Sequence, residues 1–358
     1  MKNLKSCMLR FIAVYIFFIT FIYSATKCDA QSSTLLALSK GDHVLAIVDP
    51  VTFKVTARIP VGSDPHEVIA SSDGKTAYVS IYGGGSLHTI NVIDLTTQKR
   101  LADIDTKPLF GPHDVVFVGG KVWFTAEGSK AVGRYDPATE KLDWSMGTGE
   151  DRTHMLYVAA DGKRIYTTNV SSGTVSILVD TLMQPGNFAP QKSASNNNMP
   201  PPPGMQPREN WIHTIIPVSR GAEGFDVSAD STELWTASAE NGNIYIINLT
   251  TKKLTQTIDA NVHGANRLKF TPDGKMVFIT SLGSGNLTIY DAHTRKLLKQ
   301  INIGNGAAGI LMQPDSTRVY IACTPDNYIA VIDLKTLEVI HKIEAGGVPD
   351  GLAWAIRK

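Results

Sequence analysis

Short apolar runs alternate with polar turns along the chain from Thr34 onward. One set of runs recurs with little variation: AYVSIY, VWFTAE, RIYTTN, ELWTAS, MVFITS and RVYIAC. Runs of about six residues, rich in β-branched and aromatic side chains and bounded by Gly, Asn, Asp and Ser, predict strands. Each is followed by a Gly/Ser/Asn loop and a second run, such as INVID, NIYIIN or YIAVID, that ends in Asp or Asn. That residue opens a turn with Thr three positions later: Asp49 and Thr52, Asp94 and Thr97, Asp136 and Thr139, Asn248 and Thr251, Asp291 and Thr294, Asp333 and Thr336. An Asp or Asn side chain accepts hydrogen bonds from the backbone just ahead of it, which suits a hairpin turn. A seventh copy opens at Asp180 and is interrupted.

The spacings between these markers are 45, 42, 44, 68, 43 and 42 residues. Each unit reads as an inner strand (HEVIAS at 66–71), a turn carrying Asp-Gly (SSDGK at 71–75, AADGK at 159–163, TPDGK at 271–275), and three further strands. Asp-Gly suits tight turns because glycine adopts positive φ freely. A period in the low forties with four strands per unit predicts a β-propeller. The chain from Thr34 to Val61 supplies strands two to four of a unit, and VPDGLAWAI at the C-terminus supplies an inner strand. Together they complete a seventh blade and remove two open sheet edges. The expected fold is therefore all-β: a seven-bladed β-propeller of four-stranded antiparallel blades over residues 31–358.

The long interval marks an insertion at about 181–210 containing NNNMPPPPGMQP. It has almost nothing apolar to bury, so a loosely packed loop is expected. It joins strands three and four, which puts it on the face opposite the entry to the inner strands. A docking arm for a protein partner is the functional alternative.

Residues 1–30 stand outside the repeat. Lys2, Lys5 and Arg10 precede an apolar run from Phe11 to Tyr23, and Cys28 and Ala30 fit a signal-peptidase site. The pattern predicts a cleaved secretory signal and a periplasmic, secreted or cell-surface protein. A retained anchor is the alternative, although the run is short for a span of about 20 residues. A lipoprotein signal ending at Cys28 is disfavoured by Lys27. The mature chain then holds one cysteine, Cys323, in a strand pattern, so no intramolecular disulfide forms. The formal charge is +1, from 34 basic and 33 acidic residues, with no basic tract. Nucleic-acid binding, which rests on neutralising phosphates, is not expected. No transmembrane segment is expected after signal cleavage, and a monomer is.

VGSDPHEVIASSDGKTAYVS with INVIDLTTQK resembles the YVTN-type repeat of bacterial exported propellers, including YncE-like proteins. IGNGAAGILMQPDSTRVYIAC and AGGVPDGLAWA resemble further copies. The unit GPHDVVFVGGKVWFTAEGSKAVGRYDPAT at 111–139 is similar to a blade of virginiamycin B lyase-like propellers. The resemblance implies the fold; it leaves function open, since propellers host unrelated activities.

Aligning the inner strands on the residue seven before the turn Asp gives the column His66, His113, His154, Glu223, Asn266, Ala308, Asp350. Three of the nine histidines fall in this column, in consecutive blades. Inner strands line a propeller channel, so these side chains should converge on its mouth. Three imidazoles and Glu223 suit a first-row metal such as zinc or copper. Glu127 and Arg267 are candidate catalytic groups on the same face, as base and anion clamp, with Arg152 beside them. Three readings follow: a binding or scaffold protein with a ligand or metal site at His66, His113, His154, Glu223, Asn266 and Asp350; a metal-dependent lyase or lactone hydrolase using the same rim; and an interaction platform working through the Pro-rich loop. Against all of them stands a ring that only holds ordered water and caps local backbone. His263, in a loop entering an inner strand, is the one other histidine near this face. Trp123, Trp144, Trp235 and Trp354 fall in strand patterns and are expected in the core. No phosphate loop, nucleophile elbow or haem-attachment motif is present.

Overall fold

The computed structural model of the protein describes residues 33–183 and 208–357. The proposed signal peptide and most of the insertion lie outside these residues.

Seven sheets are arranged as blades around a channel. The chain begins with β1 (Ser33–Ser39), β2 (Val44–Val48) and β3 (Val55–Pro60) of the first. The second holds β4 (Pro65–Ala70), β5 (Thr76–Ile81), β6 (Thr89–Asp94), β7 (Lys99–Arg100) and β8 (Ile104–Asp105). The third is β9 (Pro112–Val118), β10 (Lys121–Ala126), β11 (Ala131–Asp136) and β12 (Lys141–Gly147); the fourth is β13 (Thr153–Val158), β14 (Arg164–Asn169), β15 (Thr174–Met183) and β16 (Arg208–Pro217). The fifth is β17 (Ala222–Val227), β18 (Glu233–Ser238), β19 (Asn243–Asn248) and β20 (Lys253–Asp259). The sixth is β21 (Ala265–Phe270), β22 (Met276–Ser281), β23 (Asn286–Asp291) and β24 (Leu297–Asn302); the seventh is β25 (Ala307–Met312), β26 (Arg318–Cys323), β27 (Tyr328–Asp333) and β28 (Glu338–Ile343). The last strand, β29 (Pro349–Ile356), pairs with β1 and completes the first blade, as the sequence predicts.

Position in the blade explains the apolar pattern. Second and third strands are covered on both faces by neighbouring blades, so β10 and β22 are almost wholly buried. Fourth strands face solvent on one side, and β12 alternates exposed and half-buried residues along its length. The core lies between blades: Leu36, Leu38 and Leu45 of the first pack on Val79, Ile81 and Ile93 of the second. Trp123 and Trp235 are buried, as expected, and Trp354 donates its indole N–H to the Met312 carbonyl at 2.9 Å. Cys323 is fully buried, and burial pushes its thiol up to about 11.

Two expectations need correction. The fourth strand that the repeat predicts for the second blade is not continuous: over residues 99–105 it divides into β7 and β8, both paired with β6. Asp180 opens no turn. It pairs with Trp211 within a ten-residue hairpin that extends to Met183 and Arg208, so both ends of the insertion are strand. This hairpin leaves the blade at the end where Arg164 pairs with Val179, on the face of the Asp-Gly turns.

Candidate functional site

Inner strands all start on the face opposite those turns. The residue two before the column is left-handed in every blade: Asp64, Gly111, Arg152, Gly221, Gly264, Gly306 and Val348. Four blades place glycine there, where positive φ carries no Cβ penalty. Asp64 (φ 60°) and Arg152 (φ 53°) accept the strain, and both reach into the rim.

A second repeated feature sets the rim. Hydroxyls on the second strand of one blade donate to the carbonyl of the column residue on the next: Ser80 to His113 (2.5 Å), Thr125 to His154 (2.7 Å), Thr168 to Glu223 (2.5 Å) and Thr280 to Ala308 (2.9 Å). These buried bonds tie neighbouring blades together at the base of the column.

The seven column residues line one cavity of about 280 Å³, together with Lys40, Tyr82, Arg152 and Arg267. Lys40, Tyr82 and Glu127 form a second column, each directly following the second strand of its blade. Only Glu127 of these is singled out by the sequence reading. No residue type recurs in that column, so register alone does not single out the other two.

His66 lies between Lys40, whose Nζ is 2.8 Å from its Nε2, and Asp64, whose Oδ1 is 3.0 Å from the same nitrogen. Lys40 also faces Asp64 at 3.3 Å and Asp350 at 3.6 Å. Burial, reinforced by the Lys40 charge, pushes His66 down to about 4 against the pull of Asp350 and Asp64. His113 is 3% exposed and its Nδ1 has no hydrogen-bond partner among the described residues. Burial, with the charges of His154 and His66, holds it well below the usual histidine range.

The His113 ring lies 3.8 Å from that of His154 and 4.7 Å from that of His66, centroid to centroid. His154 Nδ1 bonds Glu127 Oε1, and Tyr82 donates its hydroxyl to Glu127 Oε2. Burial works to raise the Glu127 carboxyl. The bond to His154, the Tyr82 hydroxyl and the Arg152 charge outweigh it and hold the group below its ordinary value. One ligand-capable atom from each of His113, Glu127 and His154 lies within 4.8 Å of the other two. The structure thus groups Glu127, rather than Glu223, with the histidine pair. Glu223 accepts a hydrogen bond from Asn266 Nδ2 at 2.6 Å.

Arg267 does not stand free as a clamp. It is 6% exposed, bonds Glu67 Oε1 at 2.5 Å, and reaches Asn266 O and Oδ1 at 3.3 and 3.2 Å. This pair plugs the channel, with a separate cavity of about 330 Å³ beyond it lined by Glu67, Asp114, Asp226 and Lys269. Arg152 is the loosely held cation. Its side chain is 45% exposed, 3.8 Å from Glu127 Oε2 and 3.7 Å from Glu223 Oε1, beyond hydrogen-bond reach. His263 is exposed, bonds the Glu240 carbonyl, and does not line the cavity. A larger groove of about 530 Å³ is lined by Asp49, Pro50, Gly74 and Leu95 of the turns and contains no histidine.

No protein-family model matches the chain. A stretch of 102 residues, 28% of the chain, is 26% identical to protein NirF of Stutzerimonas stutzeri and spans 26% of that protein. Among solved structures, hydrazine synthase of Kuenenia stuttgartiensis superposes with a TM-score of 0.62 at 15% identity, over 81% of this chain and 89% of that one. A putative 6-phosphogluconolactonase of Bacteroides fragilis gives 0.66 at 13%, over 90% and 98%. The dihydro-heme d1 dehydrogenase NirN, in complex with DHE, gives 0.57 at 17%, over 87% of this chain and 63% of that one. At these identities the structural likeness concerns the fold, a bacterial β-propeller.

Proposed function

We propose that the protein is an exported binding propeller that takes a small anionic ligand at the channel mouth. The observation that carries this reading is Arg152. It is a half-exposed guanidinium on left-handed backbone at a polar cavity, within ion-pair distance of Glu127 and Glu223 at 3.8 and 3.7 Å but hydrogen-bonded to no carboxylate among the described residues. Lys40 is engaged by Asp64 and Asp350, and Arg267 by Glu67. The Arg152 fork, the most exposed of the three cations, could donate two parallel hydrogen bonds to a carboxylate or phosphate in exchange for its longer contacts to Glu127 and Glu223. Calorimetric titration with a panel of small carboxylates and phosphates tests it. At least one should bind, and Arg152→Gln should weaken it by about 10-fold or more, the loss of a charged hydrogen bond. No binding across the panel, or binding indifferent to Arg152→Gln, rejects the anion site.

The likeness to NirN suggests one member of that class, a haem-type ligand, whose carboxylates are anions and whose iron takes histidine. The cavity is at the small end for an organic ligand, so a macrocycle would lie across the mouth. Haemin titration followed by absorbance distinguishes this from a small anion. Export rests on residues 1–30, and N-terminal sequencing of protein from a periplasmic extract should begin at Gln31. The lyase or hydrolase reading needs a rim metal.

A further inference from the structure

The structure assigns a first-row transition-metal site to His113 and His154, which line the rim cavity, and to Glu127, buried behind them against His154. The inference deepens the ligand-site reading and rests on it only for the place where an exogenous ligand would enter.

Two imidazoles and a carboxylate form a donor set that suits zinc or copper, with a fourth position left for water or an anion. The three residues are 3%, 3% and 6% exposed, and their ligand-capable atoms lie within 4.8 Å of one another. On a tetrahedral cation with bonds of about 2.1 Å the donor atoms stand about 3.4 Å apart, so the triad would close from its widest separation while His154 and Glu127 move apart to admit the ion. The independent pointer is His113 Nδ1. A buried polar atom without a hydrogen bond costs free energy, and this one, on a residue that lines the polar cavity, has no partner among the described residues. A cation would satisfy it.

The surroundings are built as a metal site requires. Tyr82 occupies Glu127 Oε2 and so presents Oε1 toward His154. A cation would take the place of the proton those two atoms share. An outer partner that orients a ligand in this way is a recurrent feature of metal centres. The carbonyl of His113 is pinned by Ser80 and that of His154 by Thr125, so both backbones are fixed from the neighbouring blade. Arg152, 3.8 Å from Glu127 Oε2, would meet an anion bound at the open position.

The test uses mature protein purified without a metal-affinity tag, stripped with chelator, and titrated with Zn²⁺ by calorimetry. One Zn²⁺ per chain is expected. His113→Ala and His154→Ala should each weaken it by more than about 100-fold, since even an outer partner costs about 10–100-fold. Tyr82→Phe should fall within that outer-partner range. Copper loaded into the wild type should show two imidazole nitrogens by electron paramagnetic resonance. Circular dichroism and thermal melts report whether each variant folds, and Glu127→Gln serves if a histidine variant does not. Absence of Zn²⁺ and Cu²⁺ binding by the wild type overturns the site. So does binding that survives His113→Ala in a folded protein, or a loss in Glu223→Gln equal to that in Glu127→Gln. Titrating the stripped protein with the anion panel keeps the two ideas apart: anion binding without metal sustains the ligand site while the metal site fails.

Discussion

Asp94 accepts hydrogen bonds from the Thr96 and Thr97 amides at 2.7 and 3.1 Å and from the Thr97 hydroxyl at 2.8 Å. The same contacts recur at Asp49, Asp291 and Asp333, where bonds from the threonine three positions on hold the carboxyl below its ordinary value. A carboxyl depressed in the native state stabilises fully above the ordinary value of about 4 and loses that contribution as the pH falls through the native values. Changing all four to Asn, as Asn248 already is, removes the titration and keeps the acceptor. The variant should lose less stability than wild type between about pH 5 and about pH 2.5, the range that brackets carboxylate titration, read as the urea midpoint at each pH. Within the channel, Glu67 and Arg267 are 12% and 7% exposed. Glu67→Ala leaves the guanidinium buried and unpaired and should cost about 3–5 kcal/mol, whereas Glu67→Leu with Arg267→Met should cost much less. Urea unfolding of the two variants separates a pair kept for the channel's geometry from one that stabilises in its own right.

Strands and their ties carry the next layer. Thr125 Oγ1 donates to His154 O at 2.7 Å and accepts from the Asp114 amide at 2.9 Å. Thr125→Val preserves shape but orphans both groups, a loss of about 1–3 kcal/mol. It should also loosen Zn²⁺ binding without removing it, since the ligands remain. Chain closure is the other matter at this scale. β29 pairs with β1 from Ser33 to Ser39 and supplies the inner strand of the first blade. Ending the chain at Val348 would bare that edge and open the ring. Size-exclusion chromatography should show aggregate in place of the native species, because an unpaired edge is a template for association.

Across the whole molecule, the two faces are separated. The rim cavity is at the start of the inner strands, and the β15–β16 hairpin projects from the opposite face. Deleting residues 184–207 and joining Met183 to Arg208 through Asn-Gly should leave Zn²⁺ and anion affinity unchanged within about 2-fold, the context error of such measurements. A partner lost on that deletion, with rim affinity intact, would assign the loop a docking role. Coupled loss of both would place the loop and the rim on one face. Among the described residues, no helix is long and apolar enough to cross a membrane.

The repeat determined the architecture before any coordinate. Period, turn Asp and the complementary ends specify seven blades and their closure, because each blade exhausts its own hydrogen bonds and buries its faces only against copies of itself. The same register brought His66, His113, His154, Glu223, Asn266 and Asp350 to one mouth. Tertiary structure decided which of them act together. Glu127 approaches His154 across the gap between two blades, a distance set by the tilt of the sheets and not by spacing along the chain. Arg267 meets Glu67 across the channel, and Gly224, Gly309 and Gly351 let adjacent inner strands approach closely at that level, where an added Cβ would strike neighbouring backbone at 2.4, 2.1 and 2.5 Å. Lys40 and Tyr82 belong to a column whose residue types differ in every blade, so only their convergence in space shows what they share. The hairpin at Asp180 ran on as strand because ten paired residues outweigh one turn-forming side chain. A repeating sequence dictates where side chains are placed; the contacts between blades, where the repeats diverge, select their partners.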